Sequence, residues 1–268
     1  MPRITDLVRV HALLGRDPAW AAYAIGDLSP EFIGSCAWYA SADGSPALVL
    51  LYRGFDTPIV FAIGEASDLA PIFRELDAPA LSMHLRPDAV AALSPAYDPV
   101  HTSPMWRMVV ERSSLRLART DDVIALDESW LEAVTALYED GRRHGEGPTF
   151  FQPWMLGQGT FRGIRERSDL VAVAGSHVFS PGLGVCAIGN VYTRRDRRRR
   201  GFGARVTSAV VQHAIDREIP TIVLNVSQEN DGARRVYEAL GFRRYCEFFE
   251  GECRSTSPDV HPYDARRR

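Results

Sequence analysis

The sequence predicts a mixed α/β fold whose C-terminal half carries a ligand loop between a strand and a helix. Strand-like apolar runs alternate there with helical stretches, and a glycine-rich turn joins one strand to the helix that follows. With 46% hydrophobic and 24% charged residues, the composition is that of an ordinary globular protein. Alternating strands and helices pack as layers, and ligand loops lie at strand-to-helix crossovers. We therefore expect a mixed sheet with its site at this crossover.

Length and composition bound the class of protein. A chain of 268 residues fits one large domain or two of ordinary size. No window approaches the roughly 18 apolar residues of a membrane span. Asp6 and Arg9 interrupt the apolar residues at the N-terminus, which is typical of an amphipathic helix and not of a signal peptide. We therefore expect a cytoplasmic protein with no membrane partner.

Charge and cysteine content argue against two kinds of site. The net charge is −3, which disfavours a general nucleic-acid binder. All 31 basic residues are arginine, so arginine enrichment by itself carries little meaning. The four cysteines form no CxxC pair and have no histidine at zinc-ligand spacing, so we predict no metal site and no disulfide framework.

The N-terminal half reads as mixed α and β without recognisable chemistry. Pro18 to Ile25 is predicted helical and ends at Gly26, because glycine relieves the last turn. Further predicted elements are strands at 47–52 and 58–63, a helix at 69–76 and an extended run at 105–111. The pattern restarts near residue 113. We predict two domains, 1–112 and 113–268.

The C-terminal half has a clearer order of elements. Predicted strands are 115–118, 170–179, 185–193, 221–226 and 242–249, and predicted helices are 128–138, 203–217 and 233–240. A glycine-rich, aromatic segment, 141–163, separates the first helix from the second strand.

The crossover after strand 185–193 is the strongest local signal. Six arginines within Arg194–Arg200 lead into Gly201, Gly203 and a helix. A helix N-terminus presents unpaired N–H groups and partial positive charge, and glycine lets an anion approach the main chain. This pattern fits a pyrophosphate cradle; the alternatives are a solvated basic loop or a nucleic-acid patch.

A second motif, thirty residues on, favours the cradle. Asn230, Ala233, Tyr237, Gly241 and Phe242 stand at Asn-x-x-Ala-x-x-x-Tyr-x-x-x-Gly-Phe spacing, downstream of Arg198-x-x-Gly201-x-Gly203. Together these motifs, over about 50 residues, resemble the acyl-CoA signature of the GNAT superfamily of N-acetyltransferases. The resemblance implies a GNAT fold in the C-terminal half, a degenerate GNAT-like N-terminal half as in proteins similar to glycine N-acyltransferases, and acetyl-CoA or another acyl-CoA as co-substrate.

The resemblance also implies residue roles. Backbone at Val191 and Thr193 would pair with the pantetheine arm, 198–204 would wrap the pyrophosphate, and Asn230 would fix the following turn. The acyl-CoA-binding residues implied are Val191, Tyr192, Thr193, Arg198, Arg199, Arg200, Gly201, Phe202, Gly203, Ala204, Asn230, Ala233 and Tyr237.

Tyr237 is the predicted catalytic acid. Attack of an amine on a thioester releases a thiolate whose conjugate acid has a pKa near 8.5, and a phenol with a pKa near 10 can donate a hydrogen bond to it and hand over a proton. The alternative is a core aromatic at helical spacing from Ala233 and Leu240. The sequence does not identify the general base that deprotonates the amine, because the strand at 185–193 lacks the glutamate that many GNAT enzymes have. His177, a structural histidine or a water chain remain alternatives.

The acceptor site and the exact function are less constrained. Phe150, Phe151 and Met155 are candidate acceptor contacts, or else the packing face of a short helix. Asp27 is either a substrate-facing carboxylate or a surface residue. We expect a small-molecule amine or amino acid as acceptor, no nucleic-acid partner, and a monomer or homodimer. A non-catalytic CoA sensor and an aminoacyl-tRNA-dependent transferase on the same fold are the alternative functions.

Overall fold

The computed structural model describes residues 3–41, 45–148 and 150–257. Two compact units divide the chain. Unit 1 comprises residues 1–107, 227–229 and 246–268, and unit 2 comprises 108–226 and 230–245. Thr149, inside the predicted acceptor segment, lies outside the described residues. So do the first residues of predicted domain 1–112 and the last residues of predicted domain 113–268. The predicted division at 112/113 stays a prediction about domains.

Twelve strands and seven α-helices are formed by the described residues. The strands are β1 Arg3–Ile4, β2 Cys36–Ala40, β3 Leu48–Tyr52, β4 Ile59–Ile63, β5 Ala80–Leu85, β6 Tyr97–Val110, β7 Val123–Ala125, β8 Arg162–Glu166, β9 Asp169–Ser180, β10 Val185–Thr193, β11 Thr221–Ser227 and β12 Arg243–Ser255. The helices are α1 Leu7–Leu14, α2 Pro18–Gly26, α3 Ala66–Phe73, α4 Pro87–Leu93, α5 Leu131–Arg142, α6 Phe202–Asp216 and α7 Asp231–Ala239.

Unit 1 is a mixed sheet with four helices. Its strands run in the order β1-β2-β3-β4-β5-β12-β6; β4 and β5 are parallel, and the β1–β2, β2–β3, β3–β4 and β5–β12 pairs are antiparallel. Strands β3 and β4 are apolar throughout because they are buried. Helix α2 begins at Pro18, where the side chain of Asp17 accepts a hydrogen bond from the Trp20 amide.

Unit 2 is also mixed. Its strands run β11-β10-β9-β8-β7, and only β10 and β11 are parallel among these pairs. A parallel neighbour needs a crossover, and α6 supplies it between β10 and β11. Helices α5 and α6 pack on β9 and β10. The α5 side of the core contains Val134, Tyr138, Phe161, Val173 and Tyr192.

The elements with strong periodicity agree with the prediction, and the mixed α/β fold is confirmed. Residues 115–118 were predicted as a strand, and that prediction is wrong. This segment is held by a helix end and a helix side chain, since the Arg116 amide donates to the Leu240 carbonyl (3.0 Å) and the Ala118 amide to the Ser208 hydroxyl (3.0 Å). Its apolar alternation therefore reflects packing on helices and not a sheet ladder. The first strand of unit 2 is instead β7.

The described residues form neither a membrane-spanning helix nor a metal-binding cluster. None of the helices in residues 3–41, 45–148 and 150–257 is long and apolar enough to cross a membrane. In the same ranges, no three His, Cys, Asp or Glu side chains come together in a way that could hold a metal ion.

Candidate functional site

Strands β10 and β11 separate before β10 ends. Their parallel pairing runs from Val185 opposite Thr221 to Ile188 opposite Leu224 and, among the described residues, goes no further. Strand β10 nevertheless continues to Thr193. The backbone of its last five residues is therefore without a partner on the β11 side. Such an edge can bind an extended chain that carries its own amide groups.

A bulge in β10 accompanies this separation. The register between β10 and β9 shifts between Gly189 and Tyr192, and Asn190 has a φ of 55°. Asparagine tolerates this left-handed conformation better than most residues do. The Tyr138 hydroxyl of α5 fixes the bulge by donating to the Asn190 carbonyl at 2.8 Å. The sequence motifs did not indicate a role for Tyr138 or Asn190. For Asn190, the available signal was a polar residue inside an apolar strand.

The cradle follows directly. After a short 3-10 turn at Arg195–Arg197, Arg199 has a φ of 61° and Gly201, which precedes α6, has a φ of 76°. No described residue accepts a hydrogen bond from the backbone amides of residues 199–204. Consecutive free amides at a helix N-terminus form an anion-binding concavity, and the helix dipole adds to it. The segment can therefore hold a phosphate-like group.

Gly203 keeps the space beside the cradle open. A Cβ built on Gly203 would lie 3.5 Å from the Thr193 hydroxyl at the end of β10. Alanine would fit this gap, but a branched side chain would fill the space between the free edge of β10 and the first turn of α6. Gly201 is needed for its conformation instead, since its φ is positive.

Most of the arginine run is neutralised by carboxylates. Five of its six arginines form ion pairs at 2.5–3.6 Å, and the partners are Glu146, Glu166, Asp169 and Asp196. Arg199 is the exception among the described residues. Arg198 also donates to the Thr193 carbonyl (3.2 Å), and its hydrogen bond to Glu146 lowers the pKa of that carboxyl. The run therefore organises the loop more than it presents a free basic surface.

Tyr237 lies on α7, whose start is fixed by Asn230. The Asn230 side chain accepts a hydrogen bond from the Ala233 amide at 3.0 Å, as an N-cap residue does. Tyr237 is 6% exposed and contacts the Phe242 ring. Burial raises the pKa of its phenol, so the hydroxyl stays protonated at neutral pH. This hydroxyl makes no hydrogen bond with the described residues and is available as a donor.

His177 lies on β9 against Gly189 of β10. A Cβ on Gly189 would come within 2.4 Å of the His177 ring, so only glycine lets the imidazole lie on this strand. The Phe150 ring meets the imidazole edge-on at 5.5 Å. The imidazole therefore sits where the unpaired part of β10 begins.

The three candidate acceptor contacts differ in exposure. Phe150 and Phe151 are half-buried, and Phe151 packs edge-on against Tyr138 at 5.1 Å. Met155 is fully buried in the α5 core, where its sulfur accepts a hydrogen bond from the Asn190 amide group at 3.5 Å. Phe150 is the one of the three that forms a ring contact with His177 among the described residues.

In unit 1, Asp27 is not an open surface residue. It lies at the C-terminal end of α2, it is half-buried, and burial raises the pKa of its carboxyl to about 7. Asp27 is therefore a helix-end carboxylate that is partly exposed, and its contact with a substrate stays a prediction.

Comparison with known proteins gives the following. Residues 162–250 match the family model "FR47-like protein". A Novosphingobium aromaticivorans protein assigned to the GNAT family of acetyltransferases is 20% identical, over 90% of this chain and 97% of its own, with a TM-score of 0.56. A GCN5-related N-acetyltransferase from Kribbella flavida is also 20% identical, over 88% and 96%, with a TM-score of 0.56. A Drosophila protein is 13% identical, over 93% and 97%, with a TM-score of 0.68. No curated protein matches the chain.

These structures share the fold along nearly their whole length, and the family model covers the strand, crossover loop and helix described above. The chain therefore has the fold of these acetyltransferase structures, and its residues 162–250 are similar to the FR47-like family.

Proposed function

We propose that this protein is an acyl-CoA-dependent N-acyltransferase that transfers an acetyl group from acetyl-CoA to a primary amine of a small molecule or amino acid. The observation that carries the proposal is the row of free amides at 199–204, placed directly after the unpaired end of β10. The free amides suit a pyrophosphate, and the unpaired strand end suits an extended chain that contains amides. Acyl-CoA contains both groups in this order.

The cradle supplies enough interaction for a pyrophosphate. Hydrogen bonds to charged groups contribute about 1.5–3 kcal/mol each, and the helix dipole adds about 0.3–1 kcal/mol. Several amides of the cradle together with an arginine would therefore suffice to hold the pyrophosphate. Arg199, which has no carboxylate partner among the described residues, is the arginine of the run available to a phosphate without breaking an ion pair.

The free edge of β10 would hold the pantetheine arm. Its amide groups can form main-chain hydrogen bonds with Val191 and Thr193, as an added strand does. The bulge at Asn190 keeps this edge apart from β11. The thioester then lies beyond the cradle, toward the strand positions next to His177.

Tyr237 would act on the departing sulfur. The amine nitrogen bonds to the thioester carbon and loses a proton to solvent, the C–S bond breaks, and the sulfur leaves as a thiolate. The pKa of a phenol already lies above that of a thiol, and burial raises the pKa of Tyr237 further, so full proton transfer to sulfur is uphill. Tyr237 therefore stabilises the developing thiolate mainly as a hydrogen-bond donor, and solvent provides the final proton. This revises the proton transfer expected from the sequence.

The acceptor must lose a proton before it attacks, because aliphatic amines are ammonium ions at neutral pH. His177 is the imidazole next to the unpaired part of β10, and we assign it the role of base. The half-buried ring of Phe150 lies beside it and would provide an apolar wall for the acceptor.

Thiol release tests this proposal. Amines and amino acids are screened with acetyl-CoA and longer acyl-CoAs, and free CoA is measured. Tyr237→Phe should keep acetyl-CoA affinity nearly unchanged and lower turnover by roughly 10 to 10⁴-fold, since the hydroxyl matters when charge develops on sulfur. A fall in affinity with unchanged turnover would assign Tyr237 to packing. Tight acetyl-CoA binding with no thiol release for any acceptor would favour a CoA sensor instead.

A further inference from the structure

Unit 1 buries an arginine among aromatic rings. Arg107, on β6, is 2% exposed. Its guanidinium carbon lies 4.7 Å from the ring centre of Tyr23, 5.3 Å from that of Trp20 and 5.6 Å from that of Phe248. The first two rings belong to α2 and the third to β12. Three rings on two elements therefore surround one cation.

The guanidinium has no hydrogen-bond acceptor in the described part of the chain. Its Nε and Nη1 atoms are enclosed and donate to nothing, and Nη2 donates to no described residue either. Aromatic faces attract the charge, but they do not replace acceptors in the guanidinium plane. Native proteins rarely leave a buried charged donor unpaired, so this one requires an explanation.

The neighbouring carboxylates do not supply the missing acceptor. Asp17 is bound to Arg86 at 2.8 Å, and Arg86 lies over the Trp20 ring as well. Glu250 is 3.7 Å from His84. Burial lowers the pKa of Arg107, while Tyr23, Cys246 and Glu250 act in the opposite direction without hydrogen bonding to it. The Cys246 thiol is neutral, because burial raises its pKa.

We propose that Arg107 is the anion-binding residue of a ligand site in unit 1, and that this site takes a small organic monocarboxylate. A carboxylate is planar and matches two guanidinium N–H groups, so that one ligand satisfies the donors left without acceptors. Its single negative charge balances the guanidinium of Arg107, which forms no ion pair with a described carboxylate. Of the three rings, those of Trp20 and Phe248 are fully buried and that of Tyr23 is half-buried, so the Tyr23 ring would contact the body of the ligand. None of its residues belongs to the proposed acyl-CoA site, and the inference does not depend on the proposed function.

Thermal unfolding of the full chain tests the site. The probes are acetate, propionate, benzoate and phenylacetate, each compared with its neutral carboxamide, and inorganic phosphate. At least one carboxylate should raise the Tm of the wild type, while its amide should not. Calorimetry then gives the affinity of the best probe. If no carboxylate raises the Tm, or if the amides act equally, the proposal is overturned; a response to phosphate alone overturns the carboxylate assignment.

Variants separate a ligand role from a structural one. Arg107→Met should abolish the response to carboxylate while the free protein keeps or raises its Tm, because an apolar side chain of similar length removes an unpaired buried charge. Arg74→Met, at an exposed arginine of unit 1, should keep the response. Should Arg107→Met fail to fold, Arg107→Lys, which keeps the charge without the fork, should weaken binding at least about tenfold. Unchanged binding in either Arg107 variant contradicts the site.

Discussion

Asp27 should make the stability of unit 1 fall as pH rises. Its carboxyl is half-buried, and in the described part of the chain no arginine or histidine pairs with it. The groups around it are the Cys36 thiol and the Tyr52 phenol, and burial raises the pKa of each to about 12. Both are therefore neutral at physiological pH and offer no charge to a carboxylate. We predict that Asp27→Asn stabilises the protein at alkaline pH.

The magnitude follows from the pKa of Asp27. Burial raises it from 3.8 to about 7 in the folded chain, so the folded state holds its proton more tightly than the unfolded state does. The stability from this group is complete below about pH 4 and is lost as pH rises to about 7. The difference corresponds to about 4 kcal/mol, and to about half of that if residual solvent contact weakens the effect. Asparagine, which never ionises, should show no such loss.

Urea denaturation of wild type and Asp27→Asn near pH 4 and near pH 8 measures this. The two proteins should have similar unfolding free energies at the lower pH, and the variant should be more stable by about 2–4 kcal/mol at the higher one. Asp98→Asn, at an exposed carboxylate of unit 1, is the matched control and should show no pH-dependent difference. An equal difference between wild type and Asp27→Asn at both pH values would refute the reasoning.

Two further predictions concern unit 2. Gly241→Ala should lower the free energy of unfolding by more than about 1 kcal/mol in urea denaturation, because Gly241 has a φ of 97° and a Cβ there would lie 2.1 Å from the Ser114 carbonyl oxygen. A change within experimental error would mean that the segment at Ser114 moves freely. His177→Gln should lower turnover by roughly 10²–10⁴-fold in the thiol-release assay. Unchanged turnover would assign His177 to packing on Gly189.

The sequence predicted the elements and positions that follow local rules. Gly201 and Gly203 predicted the start of a helix after a strand, and α6 begins there. Asn230 has the side chain of an N-cap residue, and α7 begins directly after it. These rules involve neighbours within a few residues of one another, so a single sequence contains them. The binding and catalytic roles of these residues stay predictions.

The parts that depend on distant contacts could not be predicted in this way. The bulge at Asn190 is held by Tyr138, which is 52 residues away. The aromatic rings around Arg107 come from α2 and β12. Nothing near Arg107 in the sequence indicates a buried cation. The same limit explains the error at 115–118, since an extended segment on a helix has the same apolar pattern as a strand.

Acetyl-CoA binding tests the central claim most directly. Calorimetric titration of the full chain with acetyl-CoA should give one site per chain. Gly203→Val should abolish binding, because its branched side chain would fill the gap between Thr193 and α6, whereas Gly182→Val, in a turn where a Cβ meets nothing within 4 Å, should bind as the wild type does. No heat of binding in the wild type, or undiminished affinity in Gly203→Val, would contradict the assignment of the cradle to acyl-CoA.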